Sequence, residues 1–250
     1  ELGVQKALDT AKRMGITTLT RSASDYGLPL ALGAGETTPL EMTNAYAAFA
    51  NAGEQYQATS IQTIKSKFDD TIYTYSPVAK RVQTAQASFL ISDILSDNTA
   101  RAPTFGSTLN IPGRDVAVKT GSTDNNHDAW TIGYTPSLVV GVWVGNNENE
   151  AMQSGGSAFA GPIWRKSMQA FLGNSPAESF AQPSGISQAS ICKSNGLRAT
   201  NSSTPGTYNE FFISGTVPTE SCSTTQSQPR NDTPTNNNPT DTTDRKSTRL

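Results

Sequence analysis

Lys119-Thr120-Gly121-Ser122 lines up an ammonium group, a hydroxyl, a side-chain-free position and a second hydroxyl, and Thr123 adds a third. The preceding Val116-Ala117-Val118 is small and apolar, so Val116 to Thr123 reads as a strand with a charge at its centre. A cation there needs a use, and a glycine weakens a strand unless something approaches its backbone. Lysine, glycine and hydroxyls on one strand make a cradle for a carboxylate, with backbone N–H groups free to stabilise an oxyanion. The same residues also fit an edge strand whose lysine guards against aggregation.

Other reactive groups are sparse. One histidine, His127, and two cysteines, Cys192 and Cys222, are too few for an ordinary His/Cys zinc site, so neither a metal nor a cofactor is expected. In an oxidising compartment Cys192 and Cys222 pair into a disulfide that contributes roughly 3–4 kcal/mol for a loop of this size; in a reducing one they stay thiols. His127 reads as a surface residue, Asp128 as a brace for the loop after the Lys119 strand, and Trp130 and Trp143 as sheet core. Arg101 and Phe105 are candidates for the border of a cleft.

These residues need a scaffold, and the hydrophobic pattern supplies one. Leu2 to Met14 reads as a helix with Val4, Leu8 and Ala11 on one stripe and Gly15 as its stop. Pro39 to Ala52 is a second, with Thr38 as N-cap, Glu41 closing a capping box, Met42, Ala45, Tyr46 and Phe49 on its apolar face, and Gly53 at its end. Ala85 to Leu95 is a third, expected to bury Ala87, Leu90, Ile91 and Ile94. A hairpin of Ile61–Ile64 and Ile72–Tyr75 turns at Phe68-Asp69-Asp70. Strands Val116–Thr123, Ala129–Tyr134 and Leu138–Gly145 follow. Gly161-Pro162 then starts a helix whose Ile163, Trp164, Met168, Phe171 and Leu172 pack on them. The fold class is α+β, an antiparallel sheet flanked by helices.

Beyond Gly173 short apolar islands among Gly, Pro and Ser predict a small β-rich appendage, bracketed by Cys192 and Cys222. From Ser223 to Thr243 no apolar side chain occurs apart from proline, which predicts a disordered polar tail. Asp244–Leu250 resembles the translation of a sequencing adapter. The 250 residues divide on this reading into a main domain, 1–175, the appendage, 176–222, the tail, 223–243, and the adapter-like end, 244–250. Hydrophobic residues make up only 35% of the chain, and a net charge of -2 leaves no basic field to hold nucleic acid. The longest apolar stretch, Leu138–Val144, is far short of the roughly 20 residues of a membrane-spanning helix.

Several blocks in order resemble the transpeptidase domain of a class A (bifunctional) penicillin-binding protein. They are Ala31-Leu32-Gly33, Thr38-Pro39-Leu40-Glu41-Met42, Phe49-Ala50-Asn51-Ala52-Gly53, Lys119-Thr120-Gly121-Ser122-Thr123, Asp128-Ala129-Trp130, Gly133-Tyr134-Thr135-Pro136, Gly141-Val142-Trp143-Val144-Gly145 and Gly161-Pro162-Ile163-Trp164. Lys119-Thr120-Gly121 matches the K-T-G signature that the family carries beside S-x-x-K and S-x-N motifs. The resemblance implies that Lys119 supplies positive charge and bonds the S-x-N serine. It implies that Thr120 and Ser122 hold a terminal carboxylate, in a cradle of Thr120, Gly121, Ser122 and Thr123, and that the Ser122 N–H is one of two oxyanion donors.

The nucleophilic serine of S-x-x-K belongs upstream, so none is expected in this chain, which opens inside a helix and reads as an N-terminally truncated piece. Ser190-Ile191-Cys192-Lys193 and Ser96-Asp97-Asn98 match S-x-x-K and S-D-N literally but stand in the wrong order; the second reads as a polar helix exit. By resemblance the intact protein is a peptidoglycan D,D-transpeptidase of the bacterial envelope, held by an N-terminal membrane anchor and joined to a glycosyltransferase domain. Its partners are the D-Ala-D-Ala stem peptide, an amine acceptor and β-lactams. The rival readings are a D,D-carboxypeptidase or β-lactamase-like hydrolase, and a non-catalytic wall-binding protein.

Overall fold

A computed structural model describes residues 2–200 and 206–222; the predicted tail and adapter-like end lie outside them. The described residues form two compact units, one of residues up to 189 with 209–217, the other of 190–208 with residues from 218.

The first unit is built on a three-stranded antiparallel sheet, β5 (Ala117–Ser122), β6 (Asp128–Tyr134) and β7 (Val139–Gly145), in that spatial order. Helix α6 (Gly156–Leu172) covers one face. Val118, Trp164, Met168 and Leu172 are buried there with Leu109, Ile111 and Val116. The other face meets α3 (Pro39–Ala50), and α4 (Ala85–Ser96) packs against α3 and β5. Helix α1 (Val4–Arg13) joins α3 through a second core of Met14, Ile16, Ala45, Ala48 and Val82. Short elements connect these: α2 (Ala23–Tyr26), a 3-10 turn at Leu28–Leu32, strands β1 (Glu54–Gln55) and β4 (Lys80–Arg81) pairing with each other, and the hairpin β2 (Thr63–Lys65) with β3 (Thr71–Thr74). The α+β class expected from the sequence holds, and the three strands form where it placed them.

Two glycines let the layers close. A Cβ on Gly133 would fall on the Trp164 ring and within 2.8 Å of the Ala117 carbonyl oxygen; one on Gly141 would strike the Thr43 side chain of α3.

Several local expectations need correction. Thr38 does cap α3, its Oγ1 accepting the Glu41 N–H at 3.2 Å, but Glu41 does not close the box. Its carboxylate accepts from Thr17 Oγ1 at 2.5 Å and Thr18 Oγ1 at 2.8 Å, and these bonds hold it below the usual carboxylate range. Three donors on the chain after α1 outcompete one at the cap. On α4 the buried side chains are Ser88 and Ser92, while Ile94 is 62% exposed. Small residues let α4 approach closely, and the Ser92 hydroxyl lies 3.1 Å from the Tyr134 hydroxyl. Burial raises the phenols of Tyr46 and Tyr134 above their ordinary value.

Helix α6 begins at Gly156, not at Gly161-Pro162; Pro162 lies inside it, on its exposed side. Ile163 and Phe171 do not pack on the sheet and are 49% and 74% exposed. Helix α5 (Asn98–Phe105) was not expected. Asp97 ends α4 and caps α5, its Oδ1 accepting from the Thr99 and Ala100 N–H groups at 2.8 and 2.9 Å.

Strands β8 (Ile186–Cys192) and β9 (Thr207–Ile213) form a two-stranded sheet. In the second unit Cys192 and Cys222 are joined by a disulfide, and Arg198 bridges to both Ile191 and Ser221. With the bridged positions 30 apart in sequence, replacing both cysteines by serine should cost this unit roughly 3–4 kcal/mol. Limited proteolysis should then cut within residues 193–221 much faster. An unchanged rate would show that the unit stands without its bridge.

Candidate active site

Strand β5 is the edge of its sheet, and its pairing determines which backbone groups face outward. The Thr123 N–H donates to the Asp128 carbonyl at 3.2 Å, so these directly opposed residues form a hydrogen-bonded pair. Such pairs alternate along an antiparallel ladder. In the observed register Gly121 opposite Trp130 and Lys119 opposite Ile132 are therefore also bonded pairs. Ser122 opposite Ala129 and Thr120 opposite Thr131 are not, and their N–H and C=O groups point off the free edge.

Side chains alternate across the same strand. Thr120 and Ser122 share the α6 face with Val118, and Lys119 occupies the α3/α4 face. The ammonium nevertheless returns to the edge, because Lys119 Nζ donates to the Thr120 carbonyl at 2.8 Å. Lys119 and Ser122 are exposed and Thr120 and Gly121 half-buried, so the segment is not sealed in the interior. The edge thus presents a cation, an outward Ser122 N–H and two hydroxyls, which can bind a carboxylate and stabilise a developing oxyanion.

The end of β5 is fastened on both sides. Asp128 Oδ1 accepts the Trp143 Nε1–H at 2.8 Å and its Oδ2 accepts the Thr123 Oγ1–H at 3.1 Å, while the Asp128 N–H donates to Thr123 Oγ1 at 2.7 Å. Trp143 is therefore not core: it is 38% exposed and serves this bond, whereas Trp130 is half-buried. His127 is half-buried rather than free on the surface, its Nδ1 donating to the Asn149 carbonyl at 2.7 Å. The Ser122 hydroxyl oxygen accepts the Gly156 N–H at 2.8 Å, so a residue of β5 caps α6 from outside the helix. Sequence reasoning missed Gly155 and Gly156; the paired glycines before an apolar helix were the available signal.

The remaining candidates lie elsewhere. Ser96 donates its hydroxyl to the Asp93 carbonyl at 3.1 Å, and Arg101 bonds the Leu95 carbonyl and the Asn98 side chain, so this stretch joins two helices. Phe105 packs on the core beneath α6. Ser190 is on β8, and the Cys192 two residues on is in the disulfide. Two cavities of about 250 and 280 Å³ beside α4 are lined by residues such as Phe89, Asp93 and Phe180, not by the Lys119 strand. Burial, with Glu210 and Asp97 near, raises the Asp93 carboxyl. Among the described residues no group of His, Cys, Asp or Glu is arranged to hold a metal ion.

A mixed sheet-and-helix domain with this edge strand defines a class, and comparison with known proteins agrees. Residues 7–169 match the family model for the penicillin binding protein transpeptidase domain, and the chain belongs to that family. Residues 182–227 match a second family model, that of the penicillin-binding protein 1A C-terminal domain. Penicillin-binding protein 2D of Bacillus subtilis is 32% identical over 232 residues, covering 88% of this chain and 32% of that protein. Penicillin-binding protein 1A of Aquifex aeolicus is 31% identical over 189 residues, covering 73% of this chain and 24% of that one.

Among solved structures, penicillin-binding protein 1A from Haemophilus influenzae superposes with a TM-score of 0.75 at 24% identity, over 88% of this chain and 38% of that one. PonA1 from Mycobacterium tuberculosis in complex with penicillin V gives 0.64 at 26% identity, over 73% and 54%. The chain spans about a quarter to a third of the length of these two curated relatives.

Proposed function

We propose that this chain carries one wall of the active site of a peptidoglycan D,D-transpeptidase, whose nucleophilic serine and S-x-N motif belong to a longer protein. The observation that supports this most directly is the phase of β5, which aims the Ser122 N–H off an open edge with the Lys119 ammonium beside it. In this reading Thr120 and Ser122 bind the terminal carboxylate of the stem peptide. The serine oxygen attacks the carbonyl carbon of the D-Ala-D-Ala amide, whose oxygen takes up charge against the Ser122 N–H and the N–H of the serine itself. The C–N bond breaks, the terminal D-Ala leaves as an amine with the proton taken from serine, and an acyl-serine ester remains. An amine of a neighbouring stem peptide then attacks that ester. An amide forms, the C–O bond breaks, and the amine's proton returns the serine to its hydroxyl form. Lys119 holds the cleft positive and bonds the S-x-N serine. β-Lactams stop the cycle at the ester. In this reading the longer protein also carries an upstream glycosyltransferase domain and an anchor in the cell envelope; no helix among the described residues is long and apolar enough to cross a membrane.

Product analysis tests the reading. The full-length protein, given stem-peptide donors and an amine acceptor, should yield crosslinked dimers, whereas monomers and free D-Ala alone would indicate a carboxypeptidase. The chain by itself should take no label from a fluorescent penicillin, and stoichiometric labelling at Ser96 or Ser190 would overturn the assignment of the nucleophile to another segment.

A further inference from the structure

The residue before α6 leaves a gap that one hydroxyl occupies. Gly155 has φ -100° and ψ -160°, a backbone conformation open to any residue, so nothing in the chain path calls for glycine. Its surroundings do. A Cβ on Gly155 would fall on Ser122 Oγ and lie 2.9 Å from Ser122 Cβ and 3.2 Å from Asn126 Oδ1. Gly156 is seated on the sheet, since a Cβ there would meet the carbonyl oxygens of Gly121 and Trp130, and its own carbonyl accepts the Thr131 Oγ1–H at 3.2 Å.

A serine hydroxyl has a single proton and two lone pairs. One lone pair of Ser122 is committed to the Gly156 N–H at 2.8 Å. The proton is thereby left to donate away from the helix, toward an acceptor at the open edge. The positive end of α6 adjoins the same oxygen, and no acidic side chain stands in the helix's first turn to offset it.

We propose that Gly155 is a specificity-determining position. By leaving room for Ser122 Oγ against the Gly156 N–H, it fixes that hydroxyl as a donor and so selects ligands with an anionic group over neutral ones. The inference rests on the carboxylate-binding role proposed for Ser122 and names the positioning residues behind it.

Acylation of the full-length protein by benzylpenicillin and by its methyl ester tests the idea. The ratio of the two second-order rate constants reports carboxylate recognition, which a general loss of fold does not change. Gly155→Ala should lower that ratio about tenfold or more, as loss of one charge-assisted hydrogen bond does. Ser122→Ala should lower it similarly, and combining the two should lower it no further, because both remove the same bond. A wild-type ratio in Gly155→Ala, or losses that multiply in the double variant, would overturn the proposal while leaving the transpeptidase reading intact. A wild-type protein that benzylpenicillin does not acylate would overturn both. If Gly155→Ala does not fold, Ser122→Gly makes space for the alanine. The pair Ser122→Gly/Gly155→Ala should then fold as Ser122→Gly does, and failure to do so would place the clash elsewhere and end the proposal.

Discussion

Lys119→Ala should reduce acylation of the full-length protein by penicillin roughly 10²–10³-fold, the scale on which loss of a transition-state charge stabiliser is felt. The fold should not notice. Lys119 is exposed, and its bond runs to the carbonyl of the next residue on an edge that faces outward. Surface substitutions of this kind usually change stability by less than about 0.5 kcal/mol. The thermal midpoint should therefore stay within about 2 °C of wild type while the label disappears. A Lys119→Ala protein that labels at the wild-type rate would remove this residue from the mechanism. Lys119→Arg separates charge from shape. A planar fork in place of a compact ammonium should recover only part of the rate.

Trp164→Ala should have the opposite signature. Trp164 is fully buried, fills the place that Gly133 leaves open, and joins Val118 of the Lys119 strand in one core. Removing a buried tryptophan costs about 3–5 kcal/mol, which corresponds to a fall in midpoint of roughly 6–20 °C for a domain of this size. Its Nε1 is buried with no hydrogen-bond partner, so Trp164→Phe should lose much less. Below its lowered midpoint the alanine variant should still take the penicillin label, since no group on the edge has changed. A midpoint within about 1 °C of wild type would show that α6 does not support the sheet.

The strands of the site were legible because their signals are local. Val116-Ala117-Val118 before Lys119, the turn residues Thr135-Pro136-Ser137 and the alternating Ile64 and Tyr73 each declare a strand within a few residues, and β2, β3, β5, β6 and β7 form where those signals lie. Thr38-Pro39 likewise marks the start of α3. The readings that failed depend on partners far along the chain. The cap of α6 is Ser122, and the partners of Glu41 are Thr17 and Thr18. No window around Gly156 or Glu41 contains those residues. The buried face of α4 failed for another reason: hydropathy ranks Ile94 above Ser88 and Ser92, but close approach of a helix rewards small size. The cradle was legible in type, while the outward phase of the Ser122 N–H needed the register.

That register is keyed like a lock. On one side of the sheet Trp164 occupies the space over Gly133, and on the other Thr43 occupies the space over Gly141. Sliding either strand by one position would carry a side chain, such as that of Ile132 or Tyr134, into a seat cut for none. A one-residue slip of β5 against β6 would turn Lys119 to the opposite side and aim the wrong amide outward. A register that sets a side chain over Trp164 or Thr43 is thus opposed on steric grounds, so two missing side chains help hold the sheet in the pairing that gives the edge its polarity.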